Sequence, residues 1–352
     1  MNRFDFLRPA SVAEAVAAAA EPGSAYLAAG TNLLDLMKIG ASRPERLIDI
    51  SRLPGLDRIE WLADGSVRIG AMVRNADLAY DARLAKAFPS VAEALLSGAS
   101  AQLRNAATVG GNLMQRTRCA YLQDTASACN RRVPGSGCDA LYGENRLHAV
   151  LGWSENCIAI HPSDFCVPLV ALDAVVEVEG ADGRREIVVD DLHRLPGATP
   201  EKETALAPGE LIVGLRLPAA AAAFSANSRY LKLRERTSYA FAVVSAMAAL
   251  RIEDGTISEA RLALGAIAAK PWRVREAEAA LLGVTPSVEA FARAAEIALA
   301  EARPSGDNAF KIELARRITV RALTLALEGT PAVMPALPAS PFSTDPGASH
   351  VA

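Results

Sequence analysis

Ala107-Thr108-Val109-Gly110-Gly111-Asn112 runs, a few residues later, into a loop that carries Cys119, Cys129, Cys138, Cys157 and Cys166. The first part is a small-residue turn. It can bring bare backbone N–H groups up to a phosphate, because glycine has no Cβ to hold a ligand off. The second part gathers all five cysteines of a 352-residue chain. The chain opens Met1-Asn2-Arg3-Phe4-Asp5-Phe6, without the basic-then-apolar run of a secretory leader. An odd thiol count in that setting points to metal or redox work rather than to a disulfide framework. The stretch therefore reads as a nucleotide diphosphate and a metal cluster held side by side.

A second glycine turn lies upstream, in Tyr26-Leu27-Ala28-Ala29-Gly30-Thr31-Asn32-Leu33-Leu34. Before it, Phe4 to Pro9 reads as a strand, and Ser11-Val12-Ala13-Glu14 is a capping box opening an Ala-rich helix. Tyr26 to Ala29 reads as a strand, Leu33 to Ile39 as a helix and Arg46 to Ile50 as a strand. A strand, a glycine turn and a helix start together leave N–H groups free for an anion. Leu56 to Trp61 and Val67 to Met72 form a hairpin around Asp64-Gly65. Ser90-Val91-Ala92-Glu93 reads as another capping box. A second hairpin spans Ala174 to Val189, and Glu210 to Leu217 is a strand.

The Ala219–Ala226 run is small and featureless and makes the best boundary. Beyond it, Arg229 to Arg234, Phe241 to Ile252 and Ile257 to Ile267 read as strands. Helices follow over about Val274–Leu282, Ser287–Ala302 and Ala309–Leu327. Strands first and helices after imply a separate α+β domain. From Thr330 the chain is Pro-rich and reads as an extended or disordered arm. The expected organisation is residues 1–222 as one domain, with subdomains of about 1–55 and 56–222 and the cysteine loop at 115–166. Residues 223–329 then form a small α+β domain, and 330–352 a tail.

Composition excludes several classes. A net charge of −3 and a pI near 5.9 argue against nucleic acid or an anionic membrane as partner. The longest apolar stretch, Tyr239 to Leu250, is about 12 residues, short of the ~20 that span a bilayer. No membrane insertion is expected, and the chain reads as cytoplasmic unless a partner with a leader carries it out.

The cysteines are spaced C-x9-C, C-x8-C and C-x18-C from Cys119 to Cys157. The absence of a compact C-x2-C pair excludes a zinc ribbon or a simple ferredoxin motif. Four thiolates from one long loop can still surround a cluster, and soft sulfur donors suit iron–sulfur or zinc. Glycines at 135, 137 and 143 let the loop fold tightly, and Arg131 and Arg132 can offset thiolate charge. Cys166 sits in apolar Phe165-Cys166-Val167-Pro168-Leu169 and reads as packing. His148 and His161 read as loop hydrogen-bonders rather than ligands.

Ala29-Gly30-Thr31-Asn32-Leu33 with Thr108-Val109-Gly110-Gly111-Asn112 resembles the FAD signature of the middle subunit of molybdenum hydroxylases, the xanthine and carbon monoxide dehydrogenase group. Ile69-Gly70-Ala71, Asp77-Leu78, His161-Pro162-Ser163-Asp164 and Ala171-Leu172-Asp173-Ala174 fit the same ordered pattern. The resemblance covers about residues 1–330. It implies an α+β FAD-binding fold of the vanillyl-alcohol oxidase/p-cresol methylhydroxylase type, followed by a small domain of three strands and three helices. It places Tyr26, Leu27, Ala28, Ala29, Gly30, Thr31, Asn32, Leu33, Leu34, Thr108, Gly111, Asn112 and Thr117 on the flavin. Leu211 and Ile212 fall on a strand near it. Lys232 falls where a family lysine reaches the flavin, although it also reads as a solvated strand charge. Asp124 stands in for a family aspartate that the cysteine loop displaces.

The loop itself resembles the insertion in the flavin subunit of periplasmic aldehyde oxidoreductases. The stretches Arg116-Thr117-Arg118-Cys119, Cys129-Asn130-Arg131-Arg132 and Pro134-Gly135-Ser136-Gly137-Cys138 carry that likeness. It implies a [4Fe–4S] cluster on Cys119, Cys129, Cys138 and Cys157. The implied protein is one subunit of a heterotrimer that oxidises aldehydes, aromatic ones foremost, to carboxylic acids. A small subunit with [2Fe–2S] clusters and a large molybdenum–pterin subunit would be its partners, with no catalytic residue on this chain. The alternatives are a purine-dehydrogenase flavin subunit, a zinc-stapled binding module without redox work, and a free-standing alcohol oxidase.

Overall fold

Ser11 Oγ accepts the Glu14 N–H at 3.2 Å, and Glu14 Oε2 accepts the Ala10 N–H at 2.8 Å, so the expected capping box starts the helix Val12–Ala19. That helix connects β1 (Asp5–Leu7) to β2 (Ser24–Leu27), and the helix Leu33–Lys38 leads on towards β3 (Arg46–Asp49). The three strands form a parallel sheet in the order β1-β3-β2. The computed structural model that shows this describes residues 1–332, so the tail from 333 onward lies outside the described residues. Among the described residues no helix is long and apolar enough to cross a membrane.

The second sheet is antiparallel. It contains β4 (Ile59–Trp61), β5 (Val67–Gly70), β6 (Val175–Gly180), β7 (Gly183–Val188) and β8 (Leu211–Leu217), in the order β4-β5-β8-β6-β7. The central strand β8 joins two cores. Leu211 and Val213 pack with Ala15, Val16 and Ile48 under the first sheet. Ile212, Leu215 and Leu217 pack into the large core of the second sheet. A bulge opposite Glu177/Val178 adds the residue that lets one strand serve both.

β9 (Ser228–Leu233), β10 (Val244–Glu253) and β11 (Thr256–Gly265) form the third sheet, antiparallel, in the order β11-β10-β9. Alternation along β10 explains the long apolar run in the sequence. Val244, Ala246, Ala248 and Leu250 face the helices Arg275–Ala279, Val288–Ala298 and Phe310–Glu328. Met247 and Ala249 face the large core of the second sheet. A strand buried on both faces needs no polar alternation, and the alanines let the layers approach.

Two local expectations are corrected. Ser90 and Glu93 form no capping box. The helix runs Pro89–Ser97 with Pro at its first turn, Ser90 Oγ has no partner, and Glu93 accepts from Arg229 and the Tyr230 N–H instead. The Ala219–Ala226 stretch is not featureless either. Ala219–Phe224 is a 3-10 helix whose Ala221 and Phe224 are buried.

Candidate functional site

Both glycine turns face one cleft of about 970 Å³, lined among others by Thr31, Asn32, Asn75, Gly111, Asn112 and Thr117. That is the upper end of the size range of small-molecule sites, as an extended dinucleotide requires. The first turn supplies free donors. Gly30 takes the left-handed φ of +73° and reverses the chain. The N–H groups of Thr31, Asn32 and Leu33 then meet no acceptor among the described residues. The second turn behaves differently from the sequence reading. Its N–H groups are already used: Val109 donates to Val73 O, Gly110 to Ala71 O, Gly111 to Thr108 Oγ1 and Asn112 to Thr108 O. The second turn is therefore a short helix, Val109–Leu113, capped by Thr108. Gly110 is small because a Cβ would sit 3.0 Å from Ala71 Cβ.

What this second turn offers is an amide. Asn112 Oδ1 accepts from Gln115 Nε2 at 2.6 Å and from Ser163 Oγ at 2.7 Å. Asn32 Oδ1 accepts the Arg116 N–H at 2.8 Å. Protein donors occupy both amide oxygens, so both NH2 groups are left for the cleft. Two amides fixed as donors and three free backbone N–H groups match an acceptor-rich diphosphate or polyol. Asn75 Oδ1 is buried, lines the same cleft and has no partner among the described residues. It gives the site an acceptor for a ligand hydroxyl or N–H. These residues fit a flavin dinucleotide.

The other expected flavin residues are distributed around this centre. Tyr26 and Leu27 end β2, and Tyr26 Oη donates to Gly209 O at 2.7 Å, which pins the turn Ala28-Ala29-Gly30 from behind. Leu33 and Leu34 begin the following helix. Leu211 and Ile212 face cores and do not line the cleft, a correction that follows from the bridging position of β8. Lys232 is not a solvated charge. It is buried, and its Nζ reaches Asp164 Oδ2 at 2.7 Å and Ser97 O at 3.1 Å. The cleft wall is Asp164 rather than Lys232. Asp124 turns its carboxylate onto its own loop, accepting from the Ala126 N–H and Ser127 Oγ, and does not line the cleft.

Thr117 and Cys119 also line a second, smaller cavity beside the cleft, and its walls include Cys119, Cys129, Cys138 and Cys157. Cys129 and Cys138 pair across an antiparallel bridge, with the Asn130 N–H on Gly137 O at 2.8 Å. Gly137, at φ +103°, permits that reversal. Gly143 is small because a Cβ would run into the Tyr121 hydroxyl. Arg131 Nε donates to Cys157 Sγ at 3.1 Å, and His148 Nε2 stands 3.2 Å from Cys119 Sγ. Arg132 points elsewhere, to the carbonyls of Tyr121, Leu122 and Ser127, so it ties the loop rather than facing sulfur. No carboxylate lines the cavity. Four soft donors and one cation, with no carboxylate, suit an iron–sulfur cluster or zinc rather than a hard cation. Burial pushes the Cys119 thiol up to about 11 and raises Cys138 as well, so a metal must displace protons to bind.

Cys166 lies apart from the other four thiols and is wholly buried, but its Sγ stands within 4.8 Å of ring nitrogens of His161 and His193, so its surroundings are more polar than the sequence implied. No motif or spacing singles out Asn75, Gln115, Ser163 or Glu203. Ser163 and Glu203 act through partners distant in the chain, Gln115 through Asn112 three residues away, and Asn75 Oδ1 has no partner among the described residues. The C-terminal domain also holds the loop. Lys311, wholly buried, donates to the carbonyls of Leu147, His148 and Ala266, and Asn308 donates to those of His148 and Ala149.

Comparison with known proteins agrees with this geometry. Residues 2–220 match the family model described as the FAD binding domain in molybdopterin dehydrogenase. Residues 229–326 match the CO dehydrogenase flavoprotein C-terminal domain. The chain is 47% identical to the aldehyde oxidoreductase FAD-binding subunit PaoB of Escherichia coli K12, over 93% of this chain and 99% of that one. It is 30% identical to the carbon monoxide dehydrogenase medium chain of Hydrogenophaga pseudoflava, over 92% and 97%. A solved structure of the carbon monoxide dehydrogenase from that organism superposes with a TM-score of 0.73, at 30% identity over 93% of this chain and 98% of the other. The fold is thus that of an oxidoreductase subunit, and the chain belongs to the FAD-binding medium subunits of the molybdenum hydroxylases.

Proposed function

We propose that this chain is the FAD and [4Fe–4S] electron-transfer subunit of a heterotrimeric molybdenum hydroxylase that oxidises aldehydes to carboxylic acids. The observation that carries the proposal is the convergence of Cys119, Cys129, Cys138 and Cys157 on one cavity beside the flavin cleft. The aldehyde assignment rests on the 47% identity to a protein named for that activity. Nothing on this chain resembles a molybdenum–pterin site, so substrate chemistry falls to a large partner and one-electron transfer to a small [2Fe–2S] partner.

When bound, the flavin supplies a two-electron store that can be filled or emptied in single steps, and the cluster a one-electron store. The chain's own residues place these groups. Thr31, Asn32, Leu33 and Asn112 present donors to the diphosphate and sugar-alcohol parts. Asp164, Asn75 and the 235–243 loop form further walls of the cleft. Arg131 brings positive charge and an N–H to one sulfur, and Cys129 and Cys157 are buried while Cys119 and Cys138 stay partly exposed.

Cofactor analysis of the purified complex tests this directly. The expected result is one FAD and, beyond the iron and sulfide of the partner's [2Fe–2S] clusters, about four iron and four sulfide per chain of this subunit. A colourless loop that holds zinc, or flavin with less than a tenth of that iron, would overturn the cluster assignment.

A further inference from the structure

Glu203 lies outside both glycine turns and outside the cysteine loop, between β7 and β8. Its two carboxylate oxygens are divided between two arginines. Oε1 accepts from Arg116, 2.6 Å from Nε and 2.5 Å from Nη2. Oε2 accepts from Arg131 Nη1 at 2.7 Å. Arg131, its side chain 5% exposed, turns its Nε to Cys157 Sγ. The backbone N–H of Arg116 holds Asn32 Oδ1, which fixes that amide as a donor to the cleft. One carboxylate therefore stands a single residue from a thiol of the cavity and a single residue from the first flavin turn. Among the described residues it is the only acid paired with either arginine.

We infer that Glu203 is a positioning residue shared by the two cofactor sites. It holds Arg131 against Cys157 and partly cancels the positive charge the sulfur feels, and it holds the Arg116 segment on which Asn32 rests. This inference depends on the cluster reading above. Cluster potentials respond to nearby charge and to hydrogen bonds on sulfur. Removing the negative charge of Glu203 leaves the cavity more positive. That favours the reduced, more negative cluster, so the potential rises. Removing the charge of Arg131 acts in the opposite direction.

The test is a redox titration of the assembled complex followed by electron paramagnetic resonance, with iron and FAD content measured on the same samples. Glu203→Gln is expected to keep its iron, to shift the cluster about tenfold towards reduction (about 60 mV for one electron), and to lose FAD severalfold faster. Arg131→Gln is expected to shift the cluster the other way. Glu186→Gln, which removes an exposed acid paired with Arg216 on the second sheet, should do neither. A role in folding alone would lower iron and FAD content together and leave the potential of the loaded fraction unchanged. An unshifted potential in either iron-loaded variant overturns the inference. Wild-type complex with no iron beyond that of the partner's [2Fe–2S] clusters would instead remove the cluster reading on which it stands.

Discussion

Lys232 Nζ lies 2.7 Å from Asp164 Oδ2, and both side chains are under a tenth exposed. Asp164 lines the cleft with Lys232 behind it, and Tyr230 Oη donates to the other Asp164 oxygen at 2.5 Å. A buried carboxylate left without its cation costs about 3–5 kcal/mol. Lys232→Met should destabilise the protein by that order, measured by urea denaturation. Because the second partner would go too, Lys232→Met with Asp164→Leu should recover most of the loss. A double variant as unstable as the single one would show that the ion pair is not the cause.

Asn32 and Asn112 contribute to ligand binding only while their amide nitrogens face the cleft. Replacing either with aspartate keeps the shape and the acceptor oxygen that Arg116, Gln115 or Ser163 uses. It puts a negative oxygen where a diphosphate needs a donor. FAD content of Asn112→Asp should fall at least tenfold, with the unfolding midpoint of the flavin-free protein changed by less than about 1 kcal/mol. Full flavin occupancy would mean the diphosphate lies elsewhere.

Much of this was legible in the residues. Strands followed by helices beyond the Ala219–Ala226 run pointed to the C-terminal domain, since element order is legible over long segments. The cysteine loop gave its four thiols because they cluster in sequence as well as in space. Other features were hidden for physical reasons. Glycine pairs announce close approach, but not whether the N–H groups are free, and in Val109–Leu113 the neighbouring strand ends take them. Leu211 and Ile212 were placed near the flavin by the family resemblance, and their apolar pattern alone does not separate a strand beside a ligand from one between two cores. Ser90 and Glu93 matched a capping box, yet Pro89 starts the helix at its own fixed φ and tertiary contacts claim Glu93.

Thiol identity can be separated from thiol burial. Serine at Cys119, Cys129, Cys138 or Cys157 should each cut the iron beyond that of the partner's [2Fe–2S] clusters to below a tenth of wild type. Cys166→Ala should keep all its iron, since that thiol packs in the large core and lines neither cavity. Its cost is a small void, about 1 kcal/mol in unfolding free energy. Iron loss in Cys166→Ala, with retention in Cys157→Ser, would exchange the two assignments.

His161 and His193 are buried with their ring centroids 4.1 Å apart. Burial, above all, lowers His193 from 6.5 to about 4 and takes His161 well below its ordinary value, with His193 and Arg131 adding repulsion at His161. Their folded values lie below the unfolded one, so the unfolded chain binds more protons between about pH 4 and 6.5. The stability they contribute is complete above pH 6.5 and is lost as pH falls through that window. For His193 alone the difference is on the order of 3 kcal/mol. Glu93 works the other way, because burial raises it and it gains stability on protonation. Wild type alone therefore cannot isolate the histidines, but a variant can. His193→Gln can keep the hydrogen bond to Leu113 O that the ring makes at 2.8 Å, yet it has no proton to gain. Its loss of stability from pH 7.5 to pH 5 should be smaller than that of wild type, by an amount that a denaturant titration at the two pH values resolves. Equal losses would mean that the His193 ring charges in the folded core, in which case the unpartnered nitrogen at Nδ1 has an acceptor nearby.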